Sequence, residues 1–425
     1  MSEFLETDYD RVKRVRTALP PEGLFEHKEW RISPSALELS AVQIEQLENL
    51  GSRLLVFQKA CNLLYRQSVA GKAPAWVAEW LDAGKPPELV QWSRHGSIKT
   101  KIPDVIRADL VMTETGWALA EIDAVPGGVG LTAWLNETYA DLGEKVLGGR
   151  EGMRDAVNRL LPNHDVVIAQ EGAAYRPEWE WLLGKDRVKS AEDYHWNGHP
   201  IYRFFEAFDW PNLPGLRESG HPESPMTPPL KPFLEEKMWL AMFWMKPLRD
   251  FWRSELGERY WKDLQQIIPE SWVVHPEPLP PTAVFPGLNA NSWGEVAKFS
   301  RKERDLILKV SGFSELAWGS RGVVVASDVS NAEWERAISE AVQAFPKQPR
   351  MLQRFVKGKV LQHPYWDEDL GEIRVMKGRA RICPYYFVEE DKAVLKGVLA
   401  TICPEDKKLL HGMKDAILVP VKSAI

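Results

Sequence analysis

The spacing of apolar residues splits the chain into a helical first hundred residues and a longer remainder richer in strands. Over 40–67, Val42, Ile44, Leu47, Leu50, Leu54, Leu55, Phe57, Leu63 and Leu64 recur at helical spacing, with Ser40 as a start signal. Cys61 falls inside this pattern and reads as a packed core thiol. Over 107–123 the period changes to two. Strands at 107–113 and 117–123, joined through Glu114, Thr115 and Gly116, place Gly116 at the left-handed position such loops favour. That register sets Asp109 opposite Glu121 and Arg107 opposite Asp123. It gathers Ala108, Leu110, Met112, Ala118, Ala120 and Ile122 on one face and leaves the charged residues on the other. A slip of one residue would spoil this sorting, so the pattern itself specifies the register.

Past the hairpin, Val125-Pro126-Gly127-Gly128-Val129-Gly130 leads into a predicted helix from Thr132. Residues 164–171 read as a buried strand followed by a helix through Trp179 and Leu183, and 160–225 as a small α/β unit closed by a proline-rich connector at 222–232. The apolar stretch 232–256 reads as helix, and the prolines of 274–290 as a second connector. A short strand at 306–310 contains Lys309, and the loop 311–321 leads to another at 322–326. Ser330 and Glu333 make a capping box before the helix 334–345, 351–356 is the next strand, and 372–419 supplies several more.

Composition narrows the class. With 425 residues, 44% of them hydrophobic, the chain is long enough for more than one domain. The net charge of −6 argues against a general nucleic-acid or membrane-surface binder. Three scattered cysteines, Cys61, Cys383 and Cys403, show neither zinc spacing nor a disulfide framework, which fits a reducing compartment. The acidic start, without an apolar core, carries no signal-peptide pattern, and the run 238–245 is too short to span a bilayer, so a cytoplasmic location is expected. Nineteen tryptophans predict packing at seams between units, with ring stacking on a ligand as the alternative.

Candidate chemistry starts with the hairpin. Asp109, Glu121 and Asp123 converge on one face beside Arg107, and crowded carboxylates need a compensating cation. A few carboxylates with room left for phosphate oxygens describe a magnesium–nucleotide site; a solvated face with Arg107 paired to Asp123 is the plainer alternative. Lys309, at a strand end before the Gly/Ser loop, can reach phosphates, although the loop does not match the Walker pattern and reads equally as an ordinary hairpin loop. Lys237 follows Glu235 and Glu236 in an apolar stretch, as a snorkelling lysine would. Leu352-Gln353-Arg354-Phe355-Val356 is either an adenine hinge or a core strand, and Arg374 lies in an alternating strand. No GxSxG, HExxH or post-strand GxGxxG is present.

Together these pieces resemble the circularly permuted ATP-grasp proteins, in particular the glutathionylspermidine synthase-like group. Ala120-Glu121-Ile122-Asp123-Ala124-Val125-Pro126-Gly127 looks like that family's metal segment, and Arg107-Ala108-Asp109 like its Arg-Phe-Asp element. The segment precedes Lys309, which is the inverted order of the permuted group. The resemblance implies an α+β fold: a circularly permuted ATP-grasp core, an inserted small α/β (pre-ATP-grasp-like) unit and a helical N-terminal region. Its expected divisions are 1–100 (helical), 101–155 (ATP-grasp segment with the hairpin), 156–230 (small α/β unit) and 231–425 (nucleotide-binding subdomains).

The same resemblance implies the chemistry. Asp109, Glu121 and Asp123 would hold Mg2+, and Arg107 would steady a reacting acyl phosphate, with Arg374 (or Arg379 or Arg381) as the late arginine. Lys237 and Lys309 would bind ATP, with Ser320, Arg321 and Gly322 closing the phosphate loop, and Gln353, Phe355 and Val356 the adenine hinge. The implied activity is an ATP-dependent carboxylate–amine ligase acting on small molecules, without nucleic-acid or membrane partners. The alternatives are a nucleotide-binding protein without turnover and a small-molecule kinase. Two departures stand out: Asp123 replaces the family's asparagine, and Gln353 stands where an acidic hinge residue is frequent.

Overall fold

The computed structural model describes residues 6–24, 29–277, 283–317, 319, 321–412 and 414–424. Three sheets organise them. The largest has seven strands in the order Leu37–Leu39, Ile417–Ser423, Lys392–Pro404, Glu372–Glu389, Val105–Met112 and Trp117–Asp123, with Val360–Asp367 paired to the first part of Glu372–Glu389. Its pairings are antiparallel except where Leu37–Leu39 meets Ile417–Ser423. A second, antiparallel sheet has four strands in the order Val323–Val325, Leu306–Val310, Arg350–Arg354 and Ser271–Val274. A third, parallel sheet orders Val188–Ser190, Asp165–Ile168, Ile201–Phe204 and Met226–Thr227.

Local chemistry explains the elements that frame the site. In the helix Ala41–Val69, the Ser40 hydroxyl accepts the Gln43 N–H (3.3 Å), and the Gln43 side chain accepts the Ser40 N–H in return (3.0 Å). This helix packs on strand Lys392–Pro404 and helix Arg249–Ile267. Phe57 stacks on Trp252 with ring centroids 5.4 Å apart, and Trp239 meets Trp252 edge-on. At this seam the tryptophans pack against each other, as their abundance suggests. Ser330 and Glu333 form the predicted capping box for helix Asn331–Ala344.

The hairpin takes the register that the alternation predicts, with Arg107 opposite Asp123 and Asp109 opposite Glu121. The pairing then shifts between Asp109 and Leu110, so Leu110 faces Leu119 and Ala120 is the extra residue of a bulge. Alternation alone does not reveal this step.

The stretch 232–256 is not one helix. Pro232–Glu235 and Lys246–Leu248 are 3₁₀ turns around the short helix Met238–Met242. The long helix starts only at Arg249 and is broken at Gly257 (φ 69°, ψ 159°). Pro247, in the interior of the stretch, lacks the N–H that a continuous helix needs. The interruption leaves Lys237 at the start of the short helix, facing the hairpin. Among the described residues, no helix is long and apolar enough to cross a membrane.

Candidate active site

The last strand of the large sheet, Trp117–Asp123, lies beside the second sheet. Lys309 is buried, as is every position of its strand Leu306–Val310. Its ammonium crosses the gap and donates to the carbonyl of the bulged Ala120 (3.0 Å) and to Gln353 Oε1 on the neighbouring strand (2.8 Å). Gln353 donates in turn to Ser271 Oγ (3.2 Å). Among the described residues Lys309 therefore has no carboxylate in direct contact, and burial lowers its pKa to about 8, against a partial lift from Glu121.

Lys237 arrives from the other side. Its ammonium lies 2.8 Å from Glu121 Oε1 and donates to the Ala317 carbonyl (2.9 Å). Burial pulls this lysine down, but Glu121, with Glu206 and Asp123 further off, outweighs burial and leaves its pKa raised. Glu121, Asp123, Glu206, Glu235, Lys237 and Phe313 line a narrow cleft between the sheets. Its cavity volume is about 30 Å³, far below the roughly 300–1,000 Å³ of a small-molecule site, so the loop 311–317 closes it down. Burial, Glu235 and Asp123 push Glu206 well above the usual carboxylate range.

Under the cleft, Arg107 ties the two aspartates together. Its Nε donates to Asp109 (2.8 Å), and its Nη2 lies 2.8 Å from Asp123 Oδ2. Nη1 donates to the Gly127 carbonyl (3.1 Å), which also accepts from the Tyr385 hydroxyl (2.7 Å). Arg381 donates to the second oxygen of Asp109 (3.1 Å), and the Cys383 thiol approaches the first (3.4 Å). The Val125 N–H takes the remaining oxygen of Asp123 (2.9 Å). Burial raises Asp109, but Arg107 and Arg381 overcome it and hold the carboxyl below its ordinary pKa; at Asp123, burial and the charges of Glu121 and Asp109 outweigh Arg107 and the Val125 N–H, and the carboxyl ends above its own. The Nε of Arg381 is buried without an acceptor among the described residues.

The expected residues divide clearly. Arg107, Asp109, Glu121, Asp123, Lys237 and Lys309 come together. Arg374 does not: it is exposed on the part of its strand that pairs with Val360–Asp367, and its ion pair is with Glu372 (3.3 Å). Arg381, seven residues further along the same strand, reaches the cluster instead. Of the residues expected to form the adenine hinge, Gln353 and Phe355 are engaged within the chain. Gln353 is buried and spends its side chain on Lys309 and Ser271, and the Phe355 N–H is used by the Asp305 carbonyl (2.9 Å). Phe355 and Val356 lie beyond the strand end, half-buried.

The phosphate-loop residues are likewise occupied. The Gly322 N–H closes the loop onto the Leu316 carbonyl (2.7 Å). Arg321 reaches Glu171, in the turn after a strand of the parallel sheet (3.0 Å). Ser320 lies outside the described residues.

The three carboxylates do not form a ready metal cage. Among the described residues, no group of three His, Cys, Asp or Glu side chains is arranged to hold a metal ion. Both oxygens of each aspartate are engaged within the chain, while Glu121 uses one oxygen on Lys237 and is 32% exposed. The glycine-rich turn is no open anion cradle either, because the buried Glu178 accepts the N–H groups of Gly128 and Leu131 (2.9 Å each).

Two contributors, Tyr385 and Glu178, escape local sequence reasoning, and Arg381 is separated from the other late arginines only by its contact with Asp109. Arg381 and Tyr385 lie four residues apart on one strand, a signal diluted by the many polar residues of that strand. Glu178 carries no signal, because its partners lie 47 and 50 residues earlier.

No family model matches the sequence, and no curated protein matches it. Solved structures do. A glutathione synthetase-like effector from Globodera pallida, in its apo form, superposes with a TM-score of 0.52 at 9% identity, over 99% of this chain and 97% of that one. At this identity the likeness is one of fold alone. A putative gamma-glutamylcysteine synthetase from Methylobacillus flagellatus matches more loosely, with a TM-score of 0.41 at 13% identity over 82% of this chain and 87% of that one. Only the first likeness bears on the fold, and the cleft between the large antiparallel sheet and the lysine sheet is the place within it where opposite charges gather.

Proposed function

We propose that this chain is an ATP-dependent carboxylate–amine ligase with a circularly permuted ATP-grasp core, and that the cleft between its two antiparallel sheets takes the triphosphate. The observation that carries the proposal is convergence. Lys237 and Lys309, 72 positions apart in the sequence, reach the same strand edge from separate elements and meet Glu121 and Ala120 there. Phosphoryl transfer asks for charge neutralisation and alignment more than for a protein nucleophile. A site of lysines, arginines and carboxylates without an activated Ser or Cys fits that demand. Burial pushes the nearby Cys383 thiol up to about 12, which argues against a thiolate nucleophile.

In this reading Lys237 and Lys309 hold phosphate oxygens. Arg107 faces the carboxylate that becomes the acyl phosphate, together with Arg381, whose Nε has no acceptor among the described residues. The substrate carboxylate displaces ADP from the γ-phosphorus, and the amine then displaces phosphate to form the amide. Glu206 suits the amine, which arrives as an ammonium and must give up protons before it attacks.

The donor set fits magnesium in the form nucleotides carry it, with one or two protein carboxylates and the rest phosphate and water. Glu121 would be the accessible ligand, with Asp123 and Asp109 behind it. Magnesium held there would supply charge neutralisation for the phosphate oxygens. A screen of paired carboxylates and amines for ADP release tests the proposal. ADP and amide formed together support it, and a phosphorylated product without an amide would assign the site to a kinase.

A second reading, nucleotide binding without turnover, is favoured by one observation. Asp109, Glu121 and Asp123 are each already paired with the chain's own Arg107, Arg381 or Lys237. ATP binding without substrate-stimulated ADP release would select it.

A further inference from the structure

The turn at 83–85 carries part of the N-terminal helical region into the interior beside the cleft. Gly84 has φ +74°, and a Cβ there would lie 2.0 Å from the Lys347 carbonyl oxygen, so glycine is required. That close approach delivers Lys85 to Glu236, and both side chains of the resulting ion pair are fully buried.

Glu236 also accepts the hydroxyl hydrogen of Ser311. Ser311 is a junction. Its hydroxyl oxygen accepts the Met238 N–H (2.9 Å), and its carbonyl accepts the Lys237 N–H (2.8 Å). Its own N–H donates to the Pro349 carbonyl (2.9 Å). Lys237 and Lys309 are thus related through one residue, two positions after Lys309, whose hydroxyl is anchored by Glu236. The packing there is tight: a Cβ on Gly312 would lie 2.9 Å from Glu236 Cδ. Phe313 is held at φ 41°, a strained value for a bulky residue, with its ring centroid 5.5 Å from the Lys85 ammonium.

A buried ion pair is weak evidence for stability, because apolar side chains of similar volume do as well or better; fixing a geometry is its better-attested use. We propose that Lys85 and Glu236 are positioning residues. Acting through Ser311, they set the spacing of the two site lysines and hold the loop 311–313 against the cleft. The N-terminal region is then part of the nucleotide site without touching the nucleotide. This inference rests on the ligase reading only in treating Lys237 and Lys309 as phosphate ligands.

The test uses the full chain with the paired variant Lys85→Met/Glu236→Leu, which removes both charges together, and with Ser311→Ala and Lys85→Arg. Three quantities are read: the melting temperature, hydrogen exchange of 237–242 and 311–317 without ligand, and ATP affinity by calorimetry. The paired variant should melt no lower than the parent, exchange faster in those two segments only, and bind ATP roughly tenfold more weakly or worse. Lys85→Arg should restore both exchange and affinity. If the paired variant does not fold, Ser311→Ala carries the same expectations.

Unchanged exchange and unchanged ATP affinity would overturn the inference while leaving the ligase reading intact. A parent that binds no ATP, with the two segments still loosened in the variant, would sink the ligase reading and leave the positioning role standing.

Discussion

Lys309 is a buried ammonium whose direct partners are neutral, the Ala120 carbonyl and the Gln353 amide, and this makes Lys309→Met an informative substitution. A pKa lowered from 10.5 to about 8 corresponds to about 3 kcal/mol of folding free energy forgone at pH 7, where the group is protonated both folded and unfolded. Methionine removes that cost and keeps most of the aliphatic stem. Against the gain, two buried acceptors lose their donor, at about 1–3 kcal/mol each. The terms largely offset, so urea unfolding at pH 7 should place the variant between about 1 kcal/mol above the parent and about 3 kcal/mol below it. ATP affinity should behave differently. Loss of a buried cation from a phosphate site should weaken it roughly a hundredfold. Calorimetric titration with ATP, run beside the unfolding curves, reads both quantities. A variant that loses more than about 4 kcal/mol of stability yet binds ATP like the parent would show Lys309 to be a structural strut, and the reasoning fails.

Other consequences follow from the same geometry. ATP affinity should fall as pH rises through about 8, where the folded chain begins to lose the Lys309 proton, and Lys309→Met should flatten that profile. The sign for stability is opposite: between about 8 and 10.5 the unfolded chain still holds a proton that the folded chain has released, so the ligand-free protein should gain stability over that range. Glu121→Gln should cut substrate-stimulated ADP release by about 10²–10³ with little change in melting temperature, because the residue is partly exposed; near-parental turnover would remove it from the site. Arg381→Met should cost about 3–5 kcal/mol by leaving the buried Asp109 short of a cation, whereas Arg374→Ala on the exposed ribbon should stay within about 0.5 kcal/mol by thermal unfolding.

The sequence made some of this legible and concealed the rest for identifiable reasons. The hairpin could be read because one face is apolar, and a two-residue period ties register to burial. The bulge at Ala120 could not, since it depends on a carbonyl meeting a lysine 189 positions later. The break in 232–256 was signalled by Pro247, but the apolar residues around it outweighed one proline. Gln353 has suitable chemistry for a base contact, yet pairing of its strand with Leu306–Val310 turns the amide to Lys309. Arg374 and Arg381 share a strand and an alternating pattern, and only the long-range pairing of residue 381 with Val111 separates them. The Lys85–Glu236 pair spans 151 positions and has no local signature at all.

The central claim is that the edge of the hairpin and the lysine strand form one nucleotide cleft. A crystal structure of the full chain with a non-hydrolysable ATP analogue and magnesium tests it most directly. The account predicts the triphosphate between Lys237 and Lys309, beside Glu121, with 311–317 moved off the cleft. An analogue bound on another surface, or none bound at saturating concentration, would contradict it.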